Sequence, residues 1–204
     1  MITLHWCPQT RAERMFWLLQ EIGEPYAINH IDFRDPDAPR GADFLAASPL
    51  GKLPALSDGH VHVADSAAIA LYLADRYSMG DLAPALDDPM RGPYLFWMFY
   101  TPSALEPAIT EKMAKLEPRP TAYPWGSFDR MTGAFEARLK DHDWLAGNRF
   151  TMADAMMAGS IAYLAAFGMY QPTPGVQAFL DRCQARPAFA AAQKRLEAAK
   201  ADLG

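Results

Sequence analysis

Two short segments, 48–56 and 63–69, contain the residues best suited to hold a peptide-like ligand. The first reads Ser-Pro-Leu-Gly-Lys-Leu-Pro-Ala-Leu, a turn that leads through Leu53 into Pro54 and then into a short apolar strand. Proline has no backbone N–H, and only an X-Pro bond adopts the cis form at low cost. A cis Leu53–Pro54 bond would direct the backbone N–H and C=O of Leu53 toward a bound peptide. The alternative is an ordinary loop proline at the start of a strand.

The second segment reads Val-Ala-Asp-Ser-Ala-Ala-Ile and runs into a helix that is predicted to be capped by Ser66. Together the two segments resemble the glutathione-binding signature of soluble glutathione transferases. In that family a Pro-x-Gly-Lys-(Val/Leu)-Pro-x-Leu run is followed by a Glu-Ser or Gln-Ser pair that opens a helix. Both halves occur here, in order and at a suitable separation. Asp65 departs from the pattern because it is shorter than Glu or Gln.

The resemblance implies that reduced glutathione is the cosubstrate, and it assigns glutathione contacts to five residues. Ser66, with its N–H at a helix start, suits the γ-glutamyl carboxylate, and Asp65 would meet the ammonium group. The backbone of Leu53, before Pro54, would pair with the cysteinyl backbone, while Lys52 would meet the glycyl carboxylate. Without the motif, Lys52 and Asp65 would be ordinary surface charges.

The family's reaction is attack of the glutathione thiolate on an electrophile, so the thiol must be ionised. Lowering a thiol pKa from ~8.5 by ~2 units requires ~2.7 kcal/mol of preferential thiolate stabilisation. A hydrogen bond to a charged group supplies ~1.5–3 kcal/mol, and a helix N-terminus adds ~0.3–1 kcal/mol. Thr10 is the only hydroxyl between the first strand and the first helix, where many bacterial and theta-like transferases carry a serine. Thr10 is therefore the predicted catalytic residue; the alternative is that it only caps the helix.

Cys7 offers a rival thiol chemistry. Cys7-Pro8-Gln9-Thr10 resembles the Cys-Pro-x-Cys or Cys-Pro-x-Ala openings of glutaredoxins and omega-like transferases, whose cysteine forms a mixed disulfide with glutathione. Counted back from Gly23, however, Cys7 lies two residues earlier than the omega-like cysteine, and Arg11 occupies the beta-class position. A buried, inert Cys7 is the favoured interpretation.

The elements that must position these residues follow from periodicity and turn signals. Strands are predicted at 2–5, 27–33, 55–57 and 60–63, and helices ending at Gly23, preceding Pro49 and covering 66–77. This order of strand, helix, strand, helix, hairpin and helix predicts an α/β thioredoxin-like N-terminal domain over residues 1–77, the glutathione-binding domain.

The composition changes at residues 78–88, which are predicted to form a linker. Residues 89–204 are predicted to form an all-α C-terminal helical bundle, with Pro102 and Pro107 bending or interrupting its first helix. Leu145–Asp154 resembles a family segment, Leu-x-Gly-x-x-(Phe/Leu)-(Ser/Thr)-x-Ala-Asp, and predicts a structural capping box between Thr151 and Asp154. The further predicted helices cover 94–100, 125–141, 152–167, 175–185 and 187 onward.

Bulk properties narrow the function classes. The 204 residues are 50% hydrophobic and carry a net charge of -5, which argues against a nucleic-acid partner or an anionic-membrane anchor. No apolar run approaches the ~20 residues of a membrane helix, and no secretory signal is visible, so a cytoplasmic location is predicted. Two distant cysteines, Cys7 and Cys183, and five histidines without ligand spacing predict no metal site and no disulfide framework.

The sequence therefore resembles a cytosolic, bacterial-type glutathione S-transferase with the glutathione transferase fold. The expected enzyme conjugates the glutathione thiolate to a small hydrophobic electrophile, as in detoxification, and the family likeness alone implies a homodimer. Trp6, Trp97 and Tyr100 are predicted to line the apolar electrophile pocket. Two alternatives stay open: a Cys7-dependent glutathione thiol–disulfide oxidoreductase, and a non-catalytic glutathione-binding or scaffold protein of the same fold.

Overall fold

A four-stranded mixed sheet forms the centre of the first of two units into which the computed structural model divides the chain. The structure describes residues 1–203. Unit 1 comprises residues 1–78 and 185–203, and unit 2 comprises residues 79–184. The N-terminal part of unit 1 contains β1 (Ile2–Trp6), α1 (Glu13–Ile22), β2 (Tyr26–His30), α2 (Ala42–Ala47), β3 (Ala55–Asp58), β4 (Val61–Ala64) and α3 (Ser66–Tyr77).

The sheet has the strand order β2-β1-β3-β4, in which β1 pairs parallel with β2 and the other two pairs are antiparallel. This confirms the predicted thioredoxin-like order. β2 is shorter than predicted, because the chain turns away after His30. The N–H of Phe33 bonds to the carbonyl of Ile31, and the Asp32 carboxylate accepts the N–H of Arg34 at 3.3 Å. These local bonds replace sheet pairing.

The two faces of the sheet are covered differently. Ile2, Leu4 and Trp6 are buried and alternate along β1, so they share one face. On that face Trp6 packs edge-to-face against Phe16 of α1, with ring centroids 5.2 Å apart. His5 points to the opposite face, where its ring lies 5.6 Å from that of Phe44 in α2.

Unit 2 is helical, as predicted. It contains α4 (Arg91–Tyr100), α5 (Glu106–Ala114), α6 (Phe128–Asp141), α7 (Met152–Ala166) and α8 (Pro174–Gln184), with a π-helical turn at Thr101–Leu105 between α4 and α5. None of the helices within residues 1–203 has the length and apolarity needed to cross a membrane.

The effects of proline and capping residues explain the helix boundaries of unit 2. Pro102 lies in the π-helical turn, where the N–H of Glu106 reaches the carbonyl of Thr101, so α4 continues into α5 without a break. α6 begins at Phe128 and not at Trp125, because Ser127 caps it by accepting the N–H of Arg130 at 3.2 Å.

The predicted capping box of α7 is present. The Asp154 carboxylate accepts the N–H of Thr151 at 2.7 Å and its hydroxyl at 2.8 Å. It also accepts the N–H of Leu145 at 2.8 Å, which ties the preceding loop to the helix start.

The C-terminal helix α9 (Pro187–Ala201) belongs to unit 1 and not to the helical domain predicted to extend to residue 204. It packs on α1, where the rings of Trp17 and Phe189 meet edge-to-face at 5.1 Å. The nearly buried carboxylate of Glu21 accepts two bonds from Arg186, at 2.7 and 2.8 Å. Sequence periodicity cannot predict that α9 packs on α1, because it identifies the apolar face of a helix but not the element that this face contacts.

Replacing Arg186 by alanine is expected to lower the free energy of unfolding by about 2 kcal/mol, because it leaves a buried carboxylate short of its bidentate partner. Lys200→Ala is the matched control: it removes a more exposed pair between the same two helices, Lys200 with Glu13 at 3.2 Å, and should cost less than about 1 kcal/mol. Urea unfolding of the two variants measures the difference. Equal effects would show that the Glu21 pair is not a principal attachment of α9.

Candidate functional site

The start of α3 presents a buried hydroxyl that is available to a ligand. Ser66 is the first residue of the helix and is 6% exposed. Its Oγ has no hydrogen-bond partner among residues 1–203. Leaving a buried polar group unsatisfied costs about 1–3 kcal/mol. A ligand acceptor placed against this hydroxyl and the helix N-terminus would recover that cost.

Asp65 is the N-cap of α3, which corrects the prediction that Ser66 caps this helix, and Asp65 is also a candidate ligand contact. Its Oδ1 accepts the N–H groups of Ala67 at 2.8 Å and Ala68 at 3.3 Å, so the side chain is fixed at the helix start. Oδ2 takes part in neither bond. The residue has φ of 76°, a left-handed value that is costly for a residue with a Cβ and that occurs preferentially at ligand sites.

The loop before β3 holds Leu53 with its backbone groups unused. The Leu53–Pro54 peptide bond is cis. Neither the N–H nor the C=O of Leu53 makes a hydrogen bond to another of the described residues. Ser48 fixes the preceding turn, since its Oγ accepts the N–H of Lys52 at 2.9 Å and donates to the carbonyl of Lys52 at 2.7 Å. The Lys52 side chain itself is exposed.

The strand register brings the predicted N-terminal residues to one end of the sheet. His5 of β1 lies opposite Ala55 of β3, so the chain leaves β1 at the end where β3 begins. Ala55 in turn lies opposite Ala64, so β4 leaves the sheet at the same end. Leu53 and Ser66 each lie two residues beyond this last pair. Thr10 lies four residues beyond the end of β1.

Thr10 occupies the turn that leads into α1. Its hydroxyl donates to the carbonyl of Cys7 at 2.7 Å, and its oxygen accepts the N–H of Ala12 at 3.2 Å. The carbonyl of Thr10 also accepts the N–H of Glu13 at 3.1 Å, which begins the helix. These bonds are those of a turn-forming threonine in the turn before α1. The N-cap of the helix is Ala12 and not Thr10, and the catalytic role of Thr10 stays a prediction.

Cys7 is buried, with 3% of its surface exposed. Its partner is Arg34, which was not predicted. The Nη1 of Arg34 lies 3.0 Å from the Cys7 Sγ, and its Nη2 donates to the carbonyl of Pro8 at 3.0 Å. Arg34 lies in the loop after β2 and ties it to the turn that contains Thr10. No local signal predicts this contact, because the two loops meet only through the parallel pairing of β1 and β2.

The three residues predicted for the electrophile pocket have different surroundings. Trp6 is 1% exposed and packs in the core of unit 1, so the prediction of a pocket role for it is corrected: β1 alternation turns it toward α1. Trp97 and Tyr100 lie in α4 with ring centroids 5.0 Å apart. Burial raises the pKa of Tyr100 to about 12, and its hydroxyl donates to the carbonyl of Met131 at 2.8 Å. Phe96, missed by sequence analysis, contacts both rings and is 58% exposed.

Comparison with known proteins identifies the family. The model of the glutathione S-transferase N-terminal domain matches residues 6–76, and that of the C-terminal domain matches residues 126–187. Glutathione S-transferase 3 of Zea mays is 30% identical over 201 residues, covering 86% of this chain and 85% of the relative. The chain belongs to the glutathione S-transferase family. The N-terminal match covers every candidate glutathione-binding residue of this transferase.

Solved structures agree with this assignment. A glutathione transferase from Methylococcus capsulatus is 26% identical, with a TM-score of 0.77 over 97% of this chain and 99% of that one. A sphingomonad glutathione S-transferase complexed with glutathione is 25% identical, with a TM-score of 0.75 over 96% of this chain and 98% of that one. The predicted family and glutathione transferase fold are thereby confirmed. Within residues 1–203 of this transferase, no group of three or more histidine, cysteine or acidic side chains is arranged to hold a metal ion.

Proposed function

We propose that this glutathione S-transferase conjugates the thiolate of reduced glutathione to a small hydrophobic electrophile. The observation that carries the proposal is the buried, unpartnered hydroxyl of Ser66, which shares one end of the sheet with the unused backbone groups of Leu53. A tripeptide with a terminal carboxylate offers acceptors and donors that match both. The proposal includes a cytoplasmic homodimer, on the family likeness alone.

The roles of the binding residues follow from their free hydrogen-bonding capacity. The γ-glutamyl carboxylate accepts from the N–H and hydroxyl of Ser66, because the next two helix amides already bond to Asp65. The remaining oxygen of Asp65 faces the ammonium group. Leu53, held before Pro54, pairs with the cysteinyl N–H and C=O, and the exposed Lys52 meets the glycyl carboxylate.

Thr10 is the proposed activator of the thiol. Its hydroxyl now donates to the Cys7 carbonyl, a bond between neutral groups worth about 0.5–1.5 kcal/mol, whereas a bond to a charged group is worth about 1.5–3 kcal/mol. Rotation about the Cβ–Oγ bond redirects the proton to a thiolate placed near the start of α1. The ionised sulfur is therefore a better acceptor for this hydroxyl than the carbonyl is, and the pKa of the glutathione thiol falls.

The electrophile is assigned to the aromatic surface of α4. Trp97 and Tyr100 are largely buried there and Phe96 is exposed, with ring centroids 5.0–5.5 Å apart. A flat apolar substrate would gain by stacking on such a surface. The hydroxyl of Tyr100 is already bonded to Met131, so we assign it packing and no acid role.

Titration of the purified protein with reduced glutathione by calorimetry tests the site. Ser66→Ala is expected to weaken glutathione binding about tenfold or more, because a charged carboxylate loses a buried donor. Ser103→Ala, at an exposed serine of unit 2, is the control and should bind as the unmodified protein does. If the unmodified protein fails to bind millimolar glutathione, the transferase proposal is abandoned for a scaffold or a different ligand.

A second candidate is the Cys7-dependent oxidoreductase, because a cationic group, the Arg34 guanidinium, contacts the Cys7 sulfur at 3.0 Å. Replacement of Cys7 by serine should leave conjugation intact and abolish disulfide reduction if this activity exists. A purely binding role would instead give glutathione binding without any fall in the pKa of the bound thiol.

A further inference from the structure

A chain of hydrogen-bonded polar side chains, here called the His5 network, lies on the sheet face that α2 covers, with His5 and Ser57 buried at its centre. His5 is fully buried, and its Nε2 lies 3.0 Å from the Oγ of Ser57. The same Oγ lies 3.0 Å from Oδ2 of Asp43 in α2 and 3.1 Å from Nδ1 of His62. The amide nitrogen of Asn29 lies 3.0 Å from Nδ1 of His5. One residue from each strand thus joins one residue of α2, and the glutathione chemistry uses none of them.

The hydrogen-bond directions in the His5 network follow from the valences of its groups. The amide nitrogen of Asn29 can only donate, so Nδ1 of His5 accepts and the neutral ring carries its proton on Nε2. His5 therefore donates to Ser57. The serine has one proton to give, which goes to the Asp43 carboxylate. His5 donates to one lone pair of the Ser57 oxygen and His62 donates to the other, so every hydrogen-bonding position of Ser57 is used.

The His5 network connects the chain before and after residues 48–54, the loop assigned to glutathione binding. Asp43 precedes residues 48–54 and Ser57 follows them, so their hydrogen bond closes a ring of chain that contains the whole loop. Apolar packing of Phe44 and Ala47 against Ala55 attaches the same helix to the same strand, but apolar contacts are not directional. The polar bonds add direction and fix the register of α2 on β3.

We propose that the His5 network positions residues 48–54 for glutathione, and that protonation of His5 loosens this loop and weakens glutathione binding. The inference rests on the proposed function, since it concerns the site assigned above. His5, Ser57 and Asp43 are positioning residues, because they act through the loop and do not touch the ligand.

The sign of the pH effect follows from the surroundings of His5. Burial lowers the pKa of His5 below 6.5; the Asp43 carboxylate opposes this shift and His62 adds to it. With the His5 network formed, His5 therefore binds a proton less readily than it does in the unfolded chain. The contribution of neutral His5 to stability is fully present above about pH 6.5, and it is lost as the pH falls toward the lower pKa of His5 in the folded protein. A protonated ring would also point its Nδ1–H at the amide nitrogen of Asn29, which cannot accept it.

Glutathione binding and amide hydrogen exchange test the positioning role together. Ser57→Ala is expected to weaken glutathione binding about tenfold near pH 7. The Michaelis constant for glutathione should rise while kcat at saturating glutathione, with chlorodinitrobenzene as electrophile, changes little. In the ligand-free protein, exchange of the amides of residues 44–52 should accelerate. Asp37→Asn, in the exposed loop between β2 and α2, is the control and should alter neither property.

Two further variants keep the test decisive. Asp43→Asn changes a half-exposed carboxylate, so it is expected to fold even if Ser57→Ala does not, and to shift binding and exchange in the same direction by a smaller factor. His5→Gln keeps a donor near the Nε2 position but cannot ionise. Glutathione affinity of the unmodified protein should fall several-fold from about pH 7 to pH 5, whereas that of His5→Gln should stay constant, because glutathione's own groups do not titrate in that range.

Three results would overturn the inference: unchanged affinity in both Ser57→Ala and Asp43→Asn, unchanged exchange of residues 44–52 in both, or a His5→Gln variant with the pH dependence of the unmodified protein. If the unmodified protein binds no glutathione at any pH, the proposed function fails on its own. The exchange measurement then still decides whether the His5 network orders the loop, because it requires no ligand.

Discussion

Replacing Asp154 by alanine is expected to lower the free energy of unfolding by about 3–5 kcal/mol, the largest stability effect we foresee for a single substitution in this transferase. The carboxylate is fully buried and accepts the N–H and hydroxyl of Thr151 and the N–H of Leu145. Alanine would leave these buried donors without an acceptor. Chemical denaturation, followed by circular dichroism, measures the loss.

The effect of Asp154→Ala should depend on pH with a definite sign. Burial raises the pKa of Asp154 to about 6, although the hydrogen bonds that its carboxylate accepts act to lower it. Because this value lies above the 3.8 of an ordinary aspartate, the carboxyl's contribution is greatest below about pH 4 and decreases as the pH rises through 6. The cost of the substitution should therefore be about 1 kcal/mol larger at pH 5 than at pH 7.5. Asp141→Ala, at the exposed end of α6, serves as the control. Equal losses of stability in Asp154→Ala and Asp141→Ala would contradict the role given to Asp154.

Asp154 also illustrates what the sequence predicts reliably. The capping box spans four residues, Thr151 to Asp154, so its geometry is fixed by the helix alone, and the sequence predicted it. The bounds of α3 were predicted equally well, from Ser66 to Tyr77, although its N-cap is Asp65 and not the predicted Ser66. The bond from Leu145 to Asp154 was not predicted, because it depends on how the loop before the helix folds.

Contacts between distant segments mark the limit of prediction from sequence. The His5 network joins residues 5, 29, 43, 57 and 62, which approach one another only through strand register and the placement of α2. The Arg34 contact with Cys7 and the packing of α9 on α1 have the same character. The glutathione motif was recognisable because its two halves are local sequence patterns, whereas the side chains that hold those halves in place are scattered along the chain.

Replacing Thr10 by valine is expected to lower kcat/KM for conjugation about 10- to 100-fold, because it removes the hydroxyl assigned to the thiolate and keeps the side-chain shape. The pKa of the bound glutathione thiol should rise by about 1–2 units toward the ~8.5 of an ordinary thiol. Ultraviolet absorbance of the thiolate, titrated in the binary complex, measures this shift directly. Thr10→Ser retains the hydroxyl and should keep activity within a few-fold.

The binary-complex titration separates catalysis from the turn geometry that Thr10 also supports. Valine removes the bond from the hydroxyl to the Cys7 carbonyl and the bond from the Ala12 N–H to its oxygen, so some stability is lost even if Thr10 has no role in catalysis. Loss of stability alone would leave the thiol pKa of the folded, glutathione-bound fraction unchanged. A valine variant that binds glutathione with an unaltered thiol pKa would therefore restrict Thr10 to the helix start, and thiol activation would have to come from another group at the same end of the sheet.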